Sequence, residues 1–250
     1  MAAVLDIANI SKAFDGVKAL DRVSLTVETG RVTGLIGPNG AGKTTLFNII
    51  CGFLSCDGGE VSLKGRKLNG LAPYRVARLG LARTFQDLRL LRRVTVLDSV
   101  MLAFQRQSGE GVFCALTGWR TRREEKANLK KAKELLAFVG LTGKADDLAE
   151  ALSYGQQKLV TLACCLAMEA DLLLLDEPVA GIDPEMSQHI LNLLVQLRQE
   201  GKTILLIEHN LEAVNAVSDT VIVFDEGRKI AEGRPDAVMR DPVVVEAYLT

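Results

Sequence analysis

The chain has 250 residues, of which 48% are apolar and 24% charged, and its formal net charge is −1. A chain of this kind can bury a large hydrophobic core, and it has no global basic excess to indicate a nucleic-acid-binding surface. Its five cysteines and two histidines predict neither a disulfide framework nor a structural metal site.

The N-terminal part predicts strands followed by a strand–turn–helix unit. The first thirty residues alternate apolar and polar side chains around a turn at Asp15 and Gly16, which is typical of antiparallel strands. A short apolar run at residues 32–36 is followed by a glycine-rich turn and a helical pattern at residues 43–51. This succession favours an α/β fold, and residues 60–68 predict a further strand–turn unit.

The middle of the chain has helical periodicity. Between residues 72 and 140 the apolar side chains recur at helical spacing, as at Leu97, Val100 and Phe104, which predicts a mostly helical lobe. Residues 120–133 contain seven lysines and arginines against two glutamates. We interpret this basic run as a solvated helix face.

The C-terminal part alternates strands and helices. Four leucines precede Asp176, as expected for a buried parallel strand. The next helix is marked at both ends, with Asp183 as its N-cap, Pro184 at its first position and Gly201 just beyond it. Two further strands are predicted, at residues 203–207 and 221–224.

These elements predict one domain over residues 4–250. Its core, at about residues 4–85 and 160–250, would contain a mainly parallel sheet and an N-terminal antiparallel β region. A helical subdomain would occupy about residues 86–159. We find no signal-peptide pattern and no apolar run near the ~20 residues of a membrane helix, so we expect a soluble, cytoplasmic protein.

Residues 37–44, GPNGAGKT, match the phosphate-binding pattern G-x-x-x-x-G-K-[ST]. Its glycines allow successive N–H groups to converge on phosphate oxygens, and the following helix adds its positive dipole end. Lys43 would neutralise the β- and γ-phosphates, and Thr44 would offer a hydroxyl to Mg²⁺. A chance match is the alternative, which the strand and helix on either side disfavour. The predicted nucleotide-binding residues of this loop are Gly37, Pro38, Asn39, Gly40, Ala41, Gly42, Lys43, Thr44 and Thr45.

Three polar residues follow predicted parallel strands, at the edge where open α/β sheets bind ligands. Asp176 is predicted to hold Mg²⁺ and Glu177 to act as the general base on the attacking water. His209 follows the strand at residues 203–207, and we expect it to contact the γ-phosphate and orient that water. A surface acid at a strand end and a structural histidine are the alternatives.

The stretch LSYGQQK, at residues 152–158, fits a helix start in which Ser153 and Gln156 form a capping box. The free N–H groups of such a start also make an anion site. Because the loop around Lys43 already occupies one side of a triphosphate, this second site would cover the open side. It would then come from another copy or a related chain.

The order of these motifs resembles the nucleotide-binding subunit of ABC transporters over almost the whole chain. The resemblance rests on the phosphate loop, Gln86, LSYGQ, LLLLDEP, the turn at residues 180–183 and His209. It implies ATP and Mg²⁺ as cofactors, transmembrane permease subunits as partners, and a place on the inner face of the cell membrane. It also implies a head-to-tail dimer that holds two ATP molecules between the P-loop of one subunit and the signature LSYGQ of the other.

The resemblance assigns roles to further residues. Phe14 would stack on adenine, with a core aromatic as the alternative, and Gln86 would bind Mg²⁺ and water at the hinge into the helical lobe. Asp183 would bridge the two nucleotide sites. The signature residues that would face the nucleotide of the other subunit are Ser153, Gly155 and Gln156.

Finer features resemble the importers of branched-chain amino acids and the related urea and amide importers. These are ARTFQ at residues 82–86, the long segment between Phe104 and Thr121, Tyr154, IEHN at residues 207–210 and the ending EAYLT. The chain departs from the wider family at Leu159 and Cys164, where arginines are usual. We expect no ion pairs at those two positions. Isoleucine at position 182, in place of the usual leucine, is a mild change.

Two other classes share parts of this pattern. A DNA-associated clamp ATPase would need a long coiled-coil insertion, but no sustained heptads occur. A P-loop kinase would need a substrate pocket and would not explain the signature. The sequence therefore favours an ATP-hydrolysing transport subunit, and it leaves open an ABC ATPase of another system, such as a lipid exporter. The second ATPase could be a copy or a paralogue.

Overall fold

The computed structural model describes residues 2–84, 90–91, 93–105 and 119–249. None of the helices within those ranges is long and apolar enough to cross a membrane. Gln86 and most of the segment between Phe104 and Thr121 lie outside the described residues.

The N-terminal region forms an antiparallel sheet, as predicted. Its strands are β1 (Ala3–Phe14), β2 (Val17–Glu28), β4 (Gly58–Leu63) and β5 (Arg66–Lys67), in the order β2-β1-β4-β5. The turn between β1 and β2 has φ values of 48° at Asp15 and 86° at Gly16. Two successive positive φ angles match the twist of a tight hairpin, which explains why this dipeptide marked the turn.

The second sheet has six strands, and five of them are parallel, as the mainly parallel sheet predicted from the sequence requires. Its order is β10-β9-β3-β8-β7-β6, and β10 pairs antiparallel with β9 at one edge. The strands are β3 (Val32–Ile36), β6 (Leu81–Arg83), β7 (Leu172–Asp176), β8 (Thr203–Ile207), β9 (Thr220–Asp225) and β10 (Arg228–Gly233).

Helices pack on both sheets and form the helical region. They are α1 (Lys43–Ile50), α2 (Pro73–Arg78), α3 (Val96–Ala103), α4 (Trp119–Phe138), α5 (Tyr154–Ala167), α6 (Pro184–Gln199), α7 (Leu211–Val217), α8 (Pro235–Val238) and α9 (Pro242–Leu249). The punctuation predicted for α6 is confirmed: the Asp183 side chain accepts a hydrogen bond from the Met186 N–H at 2.9 Å, and Gly201 has a φ of 78°. Helices α3, α4 and α5 pack against one another.

The central strands β3, β7 and β8 are buried at every residue. Their register aligns both Leu35 and Asp176 with Ile207 of β8. Because the three strands are parallel, the residues that follow them meet at one edge of the sheet. This register brings the glycine-rich loop, Glu177 and His209 to the same edge.

Truncating a side chain in this central layer should destabilise the fold. Leu205, in the middle of β8, is fully buried, so Leu205→Ala is expected to lower the free energy of unfolding by about 2–5 kcal/mol through lost burial and a cavity. Leu102→Ala is the matched control, because this leucine is 62% exposed and its loss should cost less than about 0.5 kcal/mol. Urea denaturation of both variants measures the difference, and equal losses would contradict the assigned core.

Candidate functional site

The glycine-rich loop at residues 37–42 joins β3 to α1 and is shaped by close backbone contacts. Gly37 has a φ of 147°, and a Cβ atom there would lie 2.1 Å from the carbonyl oxygen of Phe224. Gly42 precedes α1 with a φ of 96°, and its Cβ would lie 2.5 Å from the carbonyl oxygen of Ala19. Neither position has room for a side chain, so the loop depends on glycine for both its conformation and its packing.

Lys43 begins α1 and turns back over the loop. Its Nζ donates hydrogen bonds to the carbonyl oxygens of Gly37 at 2.7 Å and Pro38 at 2.8 Å, and the residue is only 5% exposed. Burial lowers the pKa of Lys43, while the nearby carboxylates of Glu177 and Asp176 act in the opposite direction. The loop thus holds a buried ammonium group facing two acids, with Thr44 exposed and Thr45 half-buried beside it.

Asp176 ends β7 in a buried ion pair. Its Oδ2 lies 2.8 Å from Nη2 of Arg83, and its N–H donates to the Thr84 hydroxyl at 3.0 Å. Arg83 also donates to Oδ1 of Asn48, on α1, at 2.7 Å. The other carboxylate oxygen of Asp176, Oδ1, is buried and accepts no hydrogen bond from any of the described residues. A buried oxygen of this kind fits an additional cationic ligand, and hard oxygen ligands suit Mg²⁺.

Glu177 follows directly and is fixed by neighbouring elements. Its Oε1 lies 3.0 Å from Nε2 of His209, and its N–H donates to the carbonyl oxygen of Ile207 at 2.9 Å. Its own carbonyl oxygen accepts a hydrogen bond from Nζ of Lys158, on α5, at 2.5 Å. The structure therefore brings the predicted base and His209 into direct contact.

The predicted capping box at the start of α5 is present. The Ser153 hydroxyl accepts from the Gln156 N–H at 3.3 Å, and Oε1 of Gln156 accepts from the Ser153 N–H at 3.0 Å. Ser153 is exposed. Among the described residues, no hydrogen bond joins this helix start to the glycine-rich loop.

The start of α5 packs tightly against the start of α6. A Cβ atom on Gly155 would lie 2.6 Å from Cγ of Met186, so this glycine allows close approach of the two helices. A Cβ atom on Gly181 would lie 3.5 Å from Cε1 of Tyr154, which is an ordinary contact distance. The signature and the turn before α6, which ends at the exposed Asp183, consequently form one continuous surface.

The structure also locates three further residues that the sequence analysis singled out, namely Phe14, Leu159 and Cys164. Phe14 is 45% exposed, with Nζ of Lys12 5.5 Å from its ring centroid, so it is a surface aromatic and not a core one. Leu159 is buried in the core, and Cys164 donates to the carbonyl oxygen of Ser99 at 3.4 Å. Burial raises the pKa of Cys164 to about 12. Leu159 and Cys164 both pack among apolar side chains, at the two positions where we expected no ion pairs.

Three side chains of this edge were not identified from the sequence: Arg83, Lys158 and Glu208. Glu208 is buried, and its carboxylate accepts from the N–H groups of Val179 at 2.9 Å and His209 at 3.2 Å. Burial raises the pKa of Glu208, and these backbone hydrogen bonds act against that shift. An acid next to a histidine at a strand end was the available signal for Glu208. Nothing in the sequence pattern indicated the partners of the other two.

Comparison with known proteins identifies the family. The family model of ABC transporters matches residues 20–180, and a model described as branched-chain amino acid ATP-binding cassette transporter matches residues 228–249. The chain is 40% identical to a protein of Archaeoglobus fulgidus named probable branched-chain amino acid transport ATP-binding protein LivG, over 98% of this chain and 95% of that protein.

Solved structures agree with this assignment. The ADP conformation of an ATP-binding cassette from an ABC transporter has a TM-score of 0.86 and 37% identity, covering 100% of this chain and 99% of that one. A dimeric bacterial ABC transporter cassette has a TM-score of 0.77 and 26% identity, covering 92% of this chain and 98% of that one. The P-loop NTPase fold and the family resemblance inferred from the motifs are confirmed. This protein belongs to the ABC transporter family, as one of its nucleotide-binding, ATP-hydrolysing cassettes.

Proposed function

We propose that this chain powers an importer of branched-chain amino acids or of a related small polar solute. The observation that carries the proposal is the meeting of Lys43, Asp176 and the Glu177–His209 pair at one sheet edge. The C-terminal family match at residues 228–249 and the names of the relatives support the amino-acid class. Urea or amide import and another ABC transport system are the alternatives.

A few groups at this edge of the sheet each have a separate role in ATP hydrolysis. The loop N–H groups and Lys43 bind the phosphates, and Glu177 removes a proton from the attacking water. His209, within hydrogen-bond distance of Glu177, orients the carboxylate and the water and contacts the γ-phosphate. Phe14 offers an exposed aromatic face for stacking on adenine.

Mg²⁺ would be held by Thr44, Gln86 and Asp176. The buried Oδ1 of Asp176, which accepts no hydrogen bond within the part of the chain that the structure describes, supports this part of the proposal. The ion, when bound, neutralises phosphate charge and polarises the β- and γ-phosphate oxygens. Arg83 keeps the second oxygen of the same carboxylate fixed, so Oδ1 is the one left for the metal side.

The functional unit is a head-to-tail pair of cassettes, formed by two copies or by this chain and a paralogue. Ser153, Gly155 and Gln156 of one subunit would cover the nucleotide held by the P-loop of the other, and Asp183 would bridge the two sites. The exposed Ser153 and the lack of any hydrogen bond, among the described residues, between this helix start and the glycine-rich loop of the same chain support this arrangement. The hydrolysis cycle would close and reopen the pair.

Transmembrane permease subunits would dock on the helical region and place the pair on the inner face of the cell membrane. A surface groove of about 270 Å³ between α3 and α5 supports this docking site. Leu91 and Leu102 line it and are 59% and 62% exposed. Both leucines line the same groove, and contiguous exposed apolar surface is typical of a protein interface.

Copurified permease subunits provide the test of the transport proposal. In vesicles that contain the reconstituted complex, branched-chain amino acids presented with the matching binding protein should stimulate ATP hydrolysis several-fold. Urea and short amides serve as the comparison solutes. Stimulation by urea or amides alone would contradict the amino-acid assignment and select the alternative.

Ser153→Arg tests the shared site. The arginine side chain fills the surface where the nucleotide of the other subunit would lie, so we expect ATP binding by the monomer to persist and ATP-driven dimerisation to stop. Equilibrium binding and light scattering measure the two quantities. Both this variant and its matched control, Ser55→Arg at an exposed loop serine, are made in a Glu177→Gln background that retains the ATP-bound dimer, and the control should dimerise normally. If Ser153→Arg dimerised like the control, the shared-site proposal would be wrong.

A further inference from the structure

Lys158 is a buried lysine beside the candidate catalytic edge. It lies on α5, one helical turn after Tyr154, and is only 8% exposed. Its Nζ donates to the Glu177 carbonyl oxygen at 2.5 Å and lies 5.2 Å from the centroid of the Tyr154 ring. A buried ammonium group is costly unless it is hydrogen-bonded and near opposite charge. Here the carboxylates of Glu208, Glu177 and Asp176 supply that charge.

The backbone at Glu177 needs such a restraint. Its φ of 51° lies in the left-handed region, which is unfavourable for residues other than glycine. Hydrogen bonds hold both sides of the residue: its N–H donates to Ile207 of β8, and its carbonyl accepts from Lys158 of α5. A strained conformation persists only where the surroundings fix it, and the direction of the Glu177 side chain depends on that conformation.

We propose that Lys158 is a positioning residue that holds the Glu177 backbone and connects it rigidly to the signature. This inference rests on the proposed roles of Glu177 as base and of Ser153 as part of the neighbouring nucleotide site. Helix α5 begins at the signature, and one turn later Lys158 donates a hydrogen bond to Glu177, the proposed base for this subunit's own ATP. When the signature closes over the ATP of the neighbouring subunit, Lys158 would therefore set the position of Glu177 at the ATP of its own subunit.

Tyr154 links Lys158 to the exposed surface of the signature. Tyr154 is 45% exposed, and the centroid of its ring lies 5.2 Å from the ammonium nitrogen of Lys158. A partner subunit that covers the signature would remove water from this ring. Cation–π attraction strengthens when the pair is desolvated. Dimer closure would therefore hold the Lys158 ammonium group more firmly in place, and with it the hydrogen bond to the Glu177 carbonyl oxygen.

The test compares Lys158→Met, Lys158→Gln and Lys158→Arg in the purified full-length chain. We expect Lys158→Met to lower kcat for ATP hydrolysis by about tenfold or more, from the lost charged hydrogen bond, with the KM for ATP within about twofold of the wild type. Lys158→Arg, which can still donate to the carbonyl, should recover most of kcat, and Lys158→Gln should fall between them. Lys131→Met removes an exposed lysine paired with Glu169 and is the matched control.

A second measurement separates positioning from simple misfolding. In a Glu177→Gln background, Lys158→Met should still form the ATP-bound dimer, because the signature surface is intact. The proposal is overturned if Lys158→Met keeps the wild-type kcat. It is also overturned if Met, Gln and Arg lose activity alike together with ATP-driven dimerisation, since the lysine would then only support helix packing. Normal turnover by Glu177→Gln alone would instead refute the assigned base, a result independent of the three lysine variants.

Discussion

Glu177→Gln is expected to stop ATP turnover while ATP stays bound between two subunits. The amide has nearly the same shape as the carboxylate but cannot accept the proton from water, and loss of a general base costs about 10²–10⁴-fold in rate. Lys43 and the loop N–H groups remain, so nucleotide affinity should change little. Phosphate release at saturating ATP and Mg²⁺ gives the rate, and light scattering gives the mass relative to the 27.1 kDa of one chain.

The control for this prediction is Glu200→Gln, at an exposed glutamate beyond the end of α6. It should hydrolyse ATP at the wild-type rate and should not accumulate as an ATP-bound dimer. Turnover by Glu177→Gln within a fewfold of wild type would show that another group takes the proton. His209, which lies 3.0 Å from the glutamate, would then be the first residue to test.

Lys43→Ala should weaken nucleotide binding sharply. The substitution removes the ammonium group proposed to bind the phosphates and also its hydrogen bonds to the carbonyl oxygens of Gly37 and Pro38. Each charged hydrogen bond is worth about 1.5–3 kcal/mol, so we expect the Kd for ATP to rise by about 100-fold or more.

Calorimetric titration of ATP into Lys43→Ala measures this loss directly. Lys130→Ala removes a lysine whose side chain is 82% exposed, and it serves as the control for loss of one positive charge. A Kd for Lys43→Ala equal to that of this control would contradict the phosphate-binding role of the loop.

The parts of the site that lie in contiguous stretches of chain were predictable from the sequence. The loop at residues 37–44 has its strand before it and its helix after it, and Asp176 ends a run of four leucines. Parallel strands that end in polar residues implied a shared edge, and the observed register of β3, β7 and β8 confirms this. The capping box at Ser153 depended only on residues three apart.

Contacts between distant stretches could not be predicted in this way. Arg83 pairs with Asp176 across 93 positions, and Lys158 reaches the Glu177 carbonyl across 19. The sequence does not indicate whether the aliphatic part of a lysine or arginine side chain will be buried, because that depends on how the helices and strands pack. Strand β6 was missed because three residues at the start of a predicted helical lobe are too few to show a period.

Strand β10 was missed for a different reason. Its sequence, RKIAEG, does not alternate apolar and polar residues, and it lies at the edge of the sheet with most of its side chains exposed or half-buried. Edge strands take their place from pairing with a neighbour, here β9, more than from their own pattern.

Complementation between two inactive variants tests most directly that each ATP lies between the P-loop of one subunit and the signature of the other. Lys43→Ala and Ser153→Arg should each hydrolyse ATP negligibly alone, because both sites of either homodimer are damaged. A mixed dimer has one site with both defects and one site with none, so mixing should restore activity, up to about half that of the wild type. Activity of the mixture no greater than the sum of the separate variants would contradict the shared site.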